Sequence, residues 1–244
     1  IEYAYNVFLK HKNNYKGHNN LVVLELGPGD SLLTALFSYA HDASASYMVD
    51  VNDFANKDLG VYFEAINFLK KKGINLKFVE NDINTTDEML DRCCAHYLTH
   101  GLESLKQIPN NSIDLIFSQA VLEHIPKSEF YETLIEIHRI LKSEGVCSHV
   151  IDLRDHLENG LNNLRFSERL WESKFMSTSG FYTNRLRKSE IIKLFEISGF
   201  KVRVLNVTKW DKMPIKRSQL ARQFHDFSDE ELSVSTFSVI LSLE

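Results

Sequence analysis

Leu21-Val22-Val23-Leu24-Glu25-Leu26-Gly27-Pro28-Gly29-Asp30-Ser31 is a mostly apolar run that stops at a glycine turn. Near-continuous apolar character over six residues marks a strand covered on both faces. Asp30 and Ser31 then supply capping oxygens for a helix reaching about Tyr39. The same alternation spreads outward from this stretch. A short amphipathic helix, Tyr3 to Lys12, precedes it. Ala45 to Val51 reads as a second strand and Val61 to Lys72 as a second helix, ended by Gly73. Lysines 70, 71 and 72 sit at the negative end of that helix, where cations belong. Ile74 to Val79 reads as a third strand, followed by a helical insertion over Asp87 to Lys106. Ile113 to Phe117 is a fourth strand, Phe130 to Leu141 a helix, and Val146 to Leu153 a fifth strand entered through a turn at Gly145. Strands alternating with helices predict an α/β fold with a doubly wound sheet and helices on both faces.

The remainder differs. Arg154 to Thr183 is polar, aromatic-rich and poorly periodic, as expected of a lid inserted after strand five. Ser189 caps a helix to Ser198. Phe200 to Val207 and Val234 to Ser242 read as closing strands, with a helix near Ser218 to Phe227 between them. Residues 1–244 are expected to form one domain: an N-terminal helix over 1–20, a ligand-binding core over 21–153, a lid over 154–188, and the closing helix and strands over 189–244. The chain carries 28 basic and 33 acidic residues, a formal charge of −5. That balance disfavours a non-specific grip on nucleic acid or an anionic membrane. No stretch approaches the roughly 20 apolar residues that span a bilayer. Three cysteines, Cys93, Cys94 and Cys147, form neither a disulfide framework nor a metal-ligand pair, and a reducing cytoplasmic setting is expected.

In open α/β sheets the ligand sits beyond the carboxyl ends of the strands, so the chemistry is read there. Gly27 and Gly29 allow a tight turn and close approach by a ligand. A dinucleotide fingerprint would place a third glycine at residue 32, which is leucine, and no G-x-x-x-x-G-K-[ST] phosphate cradle occurs. Glu25, just before the turn, would repel a pyrophosphate but not a cationic group. Asp50, 21 residues after Gly29, stands where a carboxylate accepts hydrogen bonds from ribose hydroxyls, with Val51 beside it. Asp82 is expected to follow the third strand, placed for an adenine amino group, with Ile83 packing on the ring. A ribose, an adenine and a cation without phosphates describe S-adenosylmethionine.

Glu25-Leu26-Gly27-Pro28-Gly29, Asp50, Asp82, Asp114-Leu115-Ile116-Phe117-Ser118 and Leu141-Lys142-Ser143-Glu144-Gly145 resemble, in order, the motifs of class I S-adenosylmethionine-dependent methyltransferases. Ala120-Val121-Leu122-Glu123-His124-Ile125 is similar to the segment after strand four in the branch with small-molecule and lipid-type acceptors. The resemblance covers about residues 21–155. It implies a Rossmann-like, seven-stranded sheet with the last strand antiparallel, S-adenosyl-L-methionine as cofactor, and Ser118 and Gln119 against it. One departure is Ser31, where the family often has glycine. The segments from Ser148 to Leu153 and from Tyr182 to Arg187 resemble bacterial methyltransferases of largely unassigned acceptor, some relatives of which sit with glycan-assembly enzymes.

Methyl transfer needs the nucleophile held in line and, for a hydroxyl acceptor, a base. The cluster His149-Val150-Ile151-Asp152-Leu153-Arg154-Asp155-His156 offers His156 as that base, its tautomer fixed by Asp152 or Asp155, with His124 as a second candidate. Tyr182, Asn184 and Arg185 suit binding of a sugar ring or an anionic acceptor. The cluster lacks a diagnostic metal-ligand spacing, and no metal is expected. The function so read is methyl transfer from S-adenosylmethionine to a small-molecule or glycan-type acceptor, at a hydroxyl oxygen in preference to nitrogen. A module that binds S-adenosylmethionine without transferring it, and a nicotinamide-dependent oxidoreductase, are the alternatives.

Overall fold

The computed structural model describes residues 1–17 and 19–244. The chain runs α1 (Glu2–Lys12), β1 (Val22–Leu26), α2 (Leu33–Ala40), β2 (Ala45–Val49), α3 (Leu59–Lys71), α4 (Thr86–Arg92), β3 (Ala95–Leu98), α5 (Gly101–Leu105) and β4 (Ile113–Gln119). It continues through α6 (Lys127–Ile140), β5 (Leu141–Asp152), α7 (Glu168–Trp171), α8 (Lys174–Ser177), α9 (Lys188–Ile197), β6 (Phe200–Lys209), α10 (Asp229–Leu232) and β7 (Val234–Leu243). The seven strands form one sheet in the order β3-β2-β1-β4-β5-β7-β6, with the last strand antiparallel. The chain enters at β1, steps outward to β3, then returns to β4 on the other side of β1. That reversal is the switch point at which open sheets hold their ligands.

Two compact units make up the fold. One comprises Ile1–Gln119 and Glu136–Ser148, with Leu243; the other comprises Ala120–Ile135 and His149–Ser242, with Glu244. In the first, Val23 and Leu24 of β1 are wholly buried and Leu26 nearly so, as the apolar run requires, while Val22 and Glu25 are partly buried. Helix α1 buries Tyr5, Phe8 and His11, one face at helical spacing. Tyr5 meets Phe37 edge-on at 5.2 Å and Phe8 meets Phe117 at 6.3 Å. Asp58 caps α3 by accepting from the Gly60 N–H, and Thr85 caps α4 by accepting from Glu88. The second unit has its own apolar cluster of Leu161, Leu164, Ile215, Leu220, Phe224 and Leu232. Residues of the segment expected as a lid therefore share a core with those between β6 and β7.

Three expected elements fall elsewhere. Ile74–Val79 is not a strand; the third strand is Ala95–Leu98, paired parallel to β2 with Ser46 opposite Ala95 and Val49 opposite Leu98. Both stretches show apolar alternation, and only a long-range partner decides which one pairs. β5 begins at Leu141 rather than Val146, so Gly145 lies inside a strand. A Cβ there would stand 2.9 Å from the Lys142 carbonyl oxygen and 3.0 Å from that of Ile113. Glycine serves close backbone approach at this position rather than a turn. The helix expected over Ser218–Phe227 is two short 3-10 turns, Arg217–Gln219 and Arg222–Phe224.

Candidate active site

Strand register builds the rim of the first unit. Leu26 lies abreast of Val49 on one side and of Ser118 on the other, while Val49 lies abreast of Leu98. One residue further on, Thr99, Asp50 and Gly27 leave the sheet abreast of Gln119, the last residue of β4. Backbone bonds tie the row: Asp50 N–H donates to the Leu98 carbonyl at 2.9 Å, Gly27 N–H to Val49 at 2.8 Å, and Gly101 N–H to Asp50 at 2.8 Å. Gly27 and Gly29 have φ of 64° and 68°, the left-handed region where only glycine is free of strain. Space is open where a Cβ of Gly29 would stand.

Two carboxyl groups lie on this rim. Asp50 is buried, one oxygen accepting from Gly29 N–H at 3.1 Å and the other from Val51 N–H at 2.7 Å. Burial raises its pKa and these two bonds oppose the rise. Burial also pushes Glu25 up to about 7; the Thr34 hydroxyl lowers it and Asp50 raises it further. Carboxyls beside a wide glycine turn suit hydroxyl and ammonium donors. S-adenosylmethionine presents both, and the open space over Gly29 gives its chain room to approach. The cradle fits the cofactor. Val51 is largely exposed, as a residue that a ligand covers would be, and Pro28 stands between the two glycines.

Three cofactor expectations are corrected by placement. Asp82 lies in an exposed 3-10 turn, Glu80–Asp82, where its carboxylate accepts from Val79 N–H, and no strand precedes it. Ile83 is packed in the core of the unit rather than facing a ligand. The place expected for this pair, directly after the third strand, is taken by Thr99 and His100. Ser118 is fully buried, so the side chain that β4 brings to the rim is Gln119, one residue later in the strand's alternation.

The sequence also hid His11. It is 1% exposed on α1, its ring stacked 5.0 Å from Phe117. Nδ1 lies 2.8 Å from Ser148 Oγ and Nε2 3.4 Å from Gln119 Oε1. A helical histidine on an apolar face carries no signal of such partners.

The second unit holds the histidines. His124 Nδ1 is 3.0 Å from the Tyr182 carbonyl oxygen, and His124 Nε2 is 3.1 Å from His156 Nε2, the rings being 4.9 Å apart and nearly parallel. A carbonyl only accepts, so His124 carries its hydrogen on Nδ1. Burial lowers the His124 pKa, ahead of the opposing Tyr182 bond, so the ring is neutral and its Nε2 accepts from His156 Nε2–H. In the neutral form of the exposed His156 the lone pair is then on Nδ1. Its partner is thus an imidazole, not a carboxylate, which corrects the expected pairing. Asp152 is held by Arg154, whose Nε lies 2.9 Å and whose Nη2 lies 2.6 Å from its two oxygens. Asp155 accepts from the N–H groups of Leu157, Glu158, Gly160 and Asn162, capping a loop. His149 is a fully buried residue stacked on Phe195. Glu123, also buried, is pushed up to about 8 by burial.

The three expected acceptor-binding side chains already serve the protein. Asn184 donates to the carbonyls of Leu122 and Ile125 at 2.9 and 3.0 Å and accepts from Leu186 N–H. Arg185 is buried, bonded to Glu168 at 2.5 Å and to the Phe166 carbonyl at 2.7 Å, between the rings of Trp171 and Phe224. Tyr182 is buried and donates to Glu172 at 2.8 Å. All three hold the 160–187 segment in place through these bonds. Among the described residues no group of three or more His, Cys, Asp and Glu is placed to hold a metal ion, and no helix is long and apolar enough to cross a membrane.

The sequence profile of a methyltransferase-domain family matches residues 24–148, just over half of the chain. This chain belongs to that family and is an S-adenosylmethionine-dependent methyltransferase. Solved structures share the fold at low identity. A SAM-dependent methyltransferase from Methanosarcina mazei is 15% identical, with TM-score 0.55 over 96% of this chain and 97% of its own. An arsenic(III) S-adenosylmethionine methyltransferase from Chlamydomonas reinhardtii is 16% identical, with TM-score 0.55 over 93% of this chain and 64% of its own. The YcgJ protein of Bacillus subtilis is 16% identical, with TM-score 0.53 over the whole of both chains. No curated protein matches the chain.

Proposed function

We propose that the acceptor is a small-molecule or glycan-type hydroxyl and that His156 takes its proton at Nδ1. The observation that carries this reading is the directed pair of bonds through His124 to the Tyr182 carbonyl, which leaves that lone pair bare. S-adenosylmethionine, when bound, supplies an electrophilic methyl group on a sulfonium. Glu25, Gly27, Pro28, Gly29, Asp50, Val51 and Gln119 hold it. Asp50 accepts from the ribose hydroxyls, Glu25 faces the cationic end, and Gln119 offers its amide. A neutral imidazole removes a hydroxyl proton as the oxygen attacks. His156 then keeps its Nε2–H on His124, so its tautomer does not change during uptake. In this reading Asp152 orients Arg154, to which both its oxygens are bonded, rather than His156. The Arg185 guanidinium is already engaged by Glu168, which favours an uncharged hydroxyl over an anionic acceptor there.

The test is a panel of hydroxylated sugars and small alcohols against matched amines, with release of S-adenosylhomocysteine as readout. Turnover on hydroxyls alone is expected. For the accepted substrate, His156→Ala should lower kcat by about 10²-fold or more and leave cofactor affinity unchanged. Amine methylation, or full activity in His156→Ala, would count against the reading.

A further inference from the structure

Helix α1 reaches the cofactor rim through one buried side chain. His11, Ser148, Asn14 and Gln119 form a chain of bonds whose directions can be assigned. Gln119 Oε1 only accepts, so His11 Nε2 carries the hydrogen of that 3.4 Å contact. His11 is neutral, because burial drives its pKa down to about 4 with Gln119 opposing. Its Nδ1 is therefore an acceptor, and the Ser148 hydroxyl donates to it over 2.8 Å. Ser148 Oγ in turn accepts from Asn14 Nδ2 at 2.9 Å. Each of these three contacts pairs one donor with one acceptor. Phe117 stacks beneath the imidazole and fixes its plane.

We propose that His11 is a positioning residue for cofactor binding: by holding Gln119 Oε1 it turns the Gln119 amide so that its NH₂ group is presented at the rim. This rests on the reading of Gln119 as a cofactor contact. Gln119 is the half-buried last residue of β4, abreast of the Gly27 turn. An amide held this way offers donors only, so it recognises an oxygen or ring nitrogen of the cofactor and is indifferent to the sulfonium charge. Without His11 the amide is free to rotate and to present either end, and the ordering falls on the binding step.

The experiment is calorimetric titration of the full chain with S-adenosylmethionine and S-adenosylhomocysteine, with melting temperature measured alongside. His11→Phe keeps the ring on Phe117 and removes both bonds. It should weaken both ligands about tenfold and by the same factor. Gln119→Ala should do likewise, and the double variant should be no weaker than Gln119→Ala alone, since the two residues act through one contact. Ser148→Ala leaves His11 in place but frees its tautomer; it should show a smaller loss that also vanishes in the Gln119→Ala background, and it serves if His11→Phe does not fold. An unchanged Kd in Gln119→Ala removes Gln119 from the site and the inference with it. Affinity lost in Gln119→Ala but kept in His11→Phe, losses that add in the double variant, or a melting-temperature change with no change in Kd overturn the role of His11 and leave the cofactor assignment standing.

Discussion

At the scale of single residues, the charge of Glu25 sets a pH dependence. An exposed glutamate titrates near 4.5; here burial, opposed by Thr34, moves the group to about 7. The stability linked to its protonated form is complete below the unfolded value and is lost as pH rises through about 7. A cationic ligand prefers the ionised form, so affinity for S-adenosylmethionine should climb between pH 5.5 and 8. Titrations across that range should show the climb in the wild type and a flat, weaker profile in Glu25→Gln. Asp50 acts differently, through directed bonds. A hydrogen bond to a charged group contributes about 1.5–3 kcal/mol, so Asp50→Ala should raise the cofactor Kd roughly tenfold to a hundredfold. An unchanged Kd would dissociate Asp50 from the ribose.

At the scale of elements, Gly145 and Arg187 make the clearest cases. A methyl at Gly145 meets two carbonyl oxygens of the backbone and Leu141 Cδ1, the last at 2.8 Å. Gly145→Ala should therefore cost about 1–3 kcal/mol, read as a lower denaturation midpoint. Arg187, 1% exposed at the start of α9, donates to the carbonyls of Val234 at 2.8 Å and Leu232 at 3.4 Å. Burial brings its guanidinium down to about 10, with Glu231 and Glu190 opposing. Arg187→Leu leaves buried carbonyls unpaired, at about 1–3 kcal/mol for each, and should lower the melting temperature sharply. These elements also mark what the sequence exposes and what it withholds. β1, the glycine turn and Asp50 are legible because each depends on local pattern and short spacing. β3 is not, because Ile74–Val79 alternates at least as well as Ala95–Leu98 and the choice lies in pairing with β2. The misplacement of Asp82 and Ile83 follows from that one choice. The partners of His156, Tyr182 and Arg185 are equally hidden, since segments with little periodicity acquire their contacts only in three dimensions.

At the scale of the molecule, the chain passes between its two units at 119/120, 135/136, 148/149, 242/243 and 243/244. Helix α6 and strand β5 each contribute residues to both units, so no single cut separates them. Calorimetry should give one unfolding transition. Leu36→Ala in the first unit and Leu164→Ala in the second, both fully buried, should each lower that same transition, by about 2–5 kcal/mol. Two resolved transitions would show that the units unfold independently. A fragment ending at Gln119 lacks residues 136–148 of its own unit, and its circular dichroism should be that of an unfolded chain.

The histidine pair has a consequence for finding the acceptor. His124 and His156 hold fixed tautomers, one protonated at Nδ1 and the other at Nε2. In a ¹⁵N-labelled sample, at a pH where both rings are neutral, the four ring nitrogens should give separate resonances, with that of His156 Nδ1 in the position of an unprotonated nitrogen. A compound whose hydroxyl docks there shifts that signal before any methyl group moves. Mixtures of metabolites can then be screened by a single resonance, with the cofactor replaced by its demethylated product so that nothing turns over.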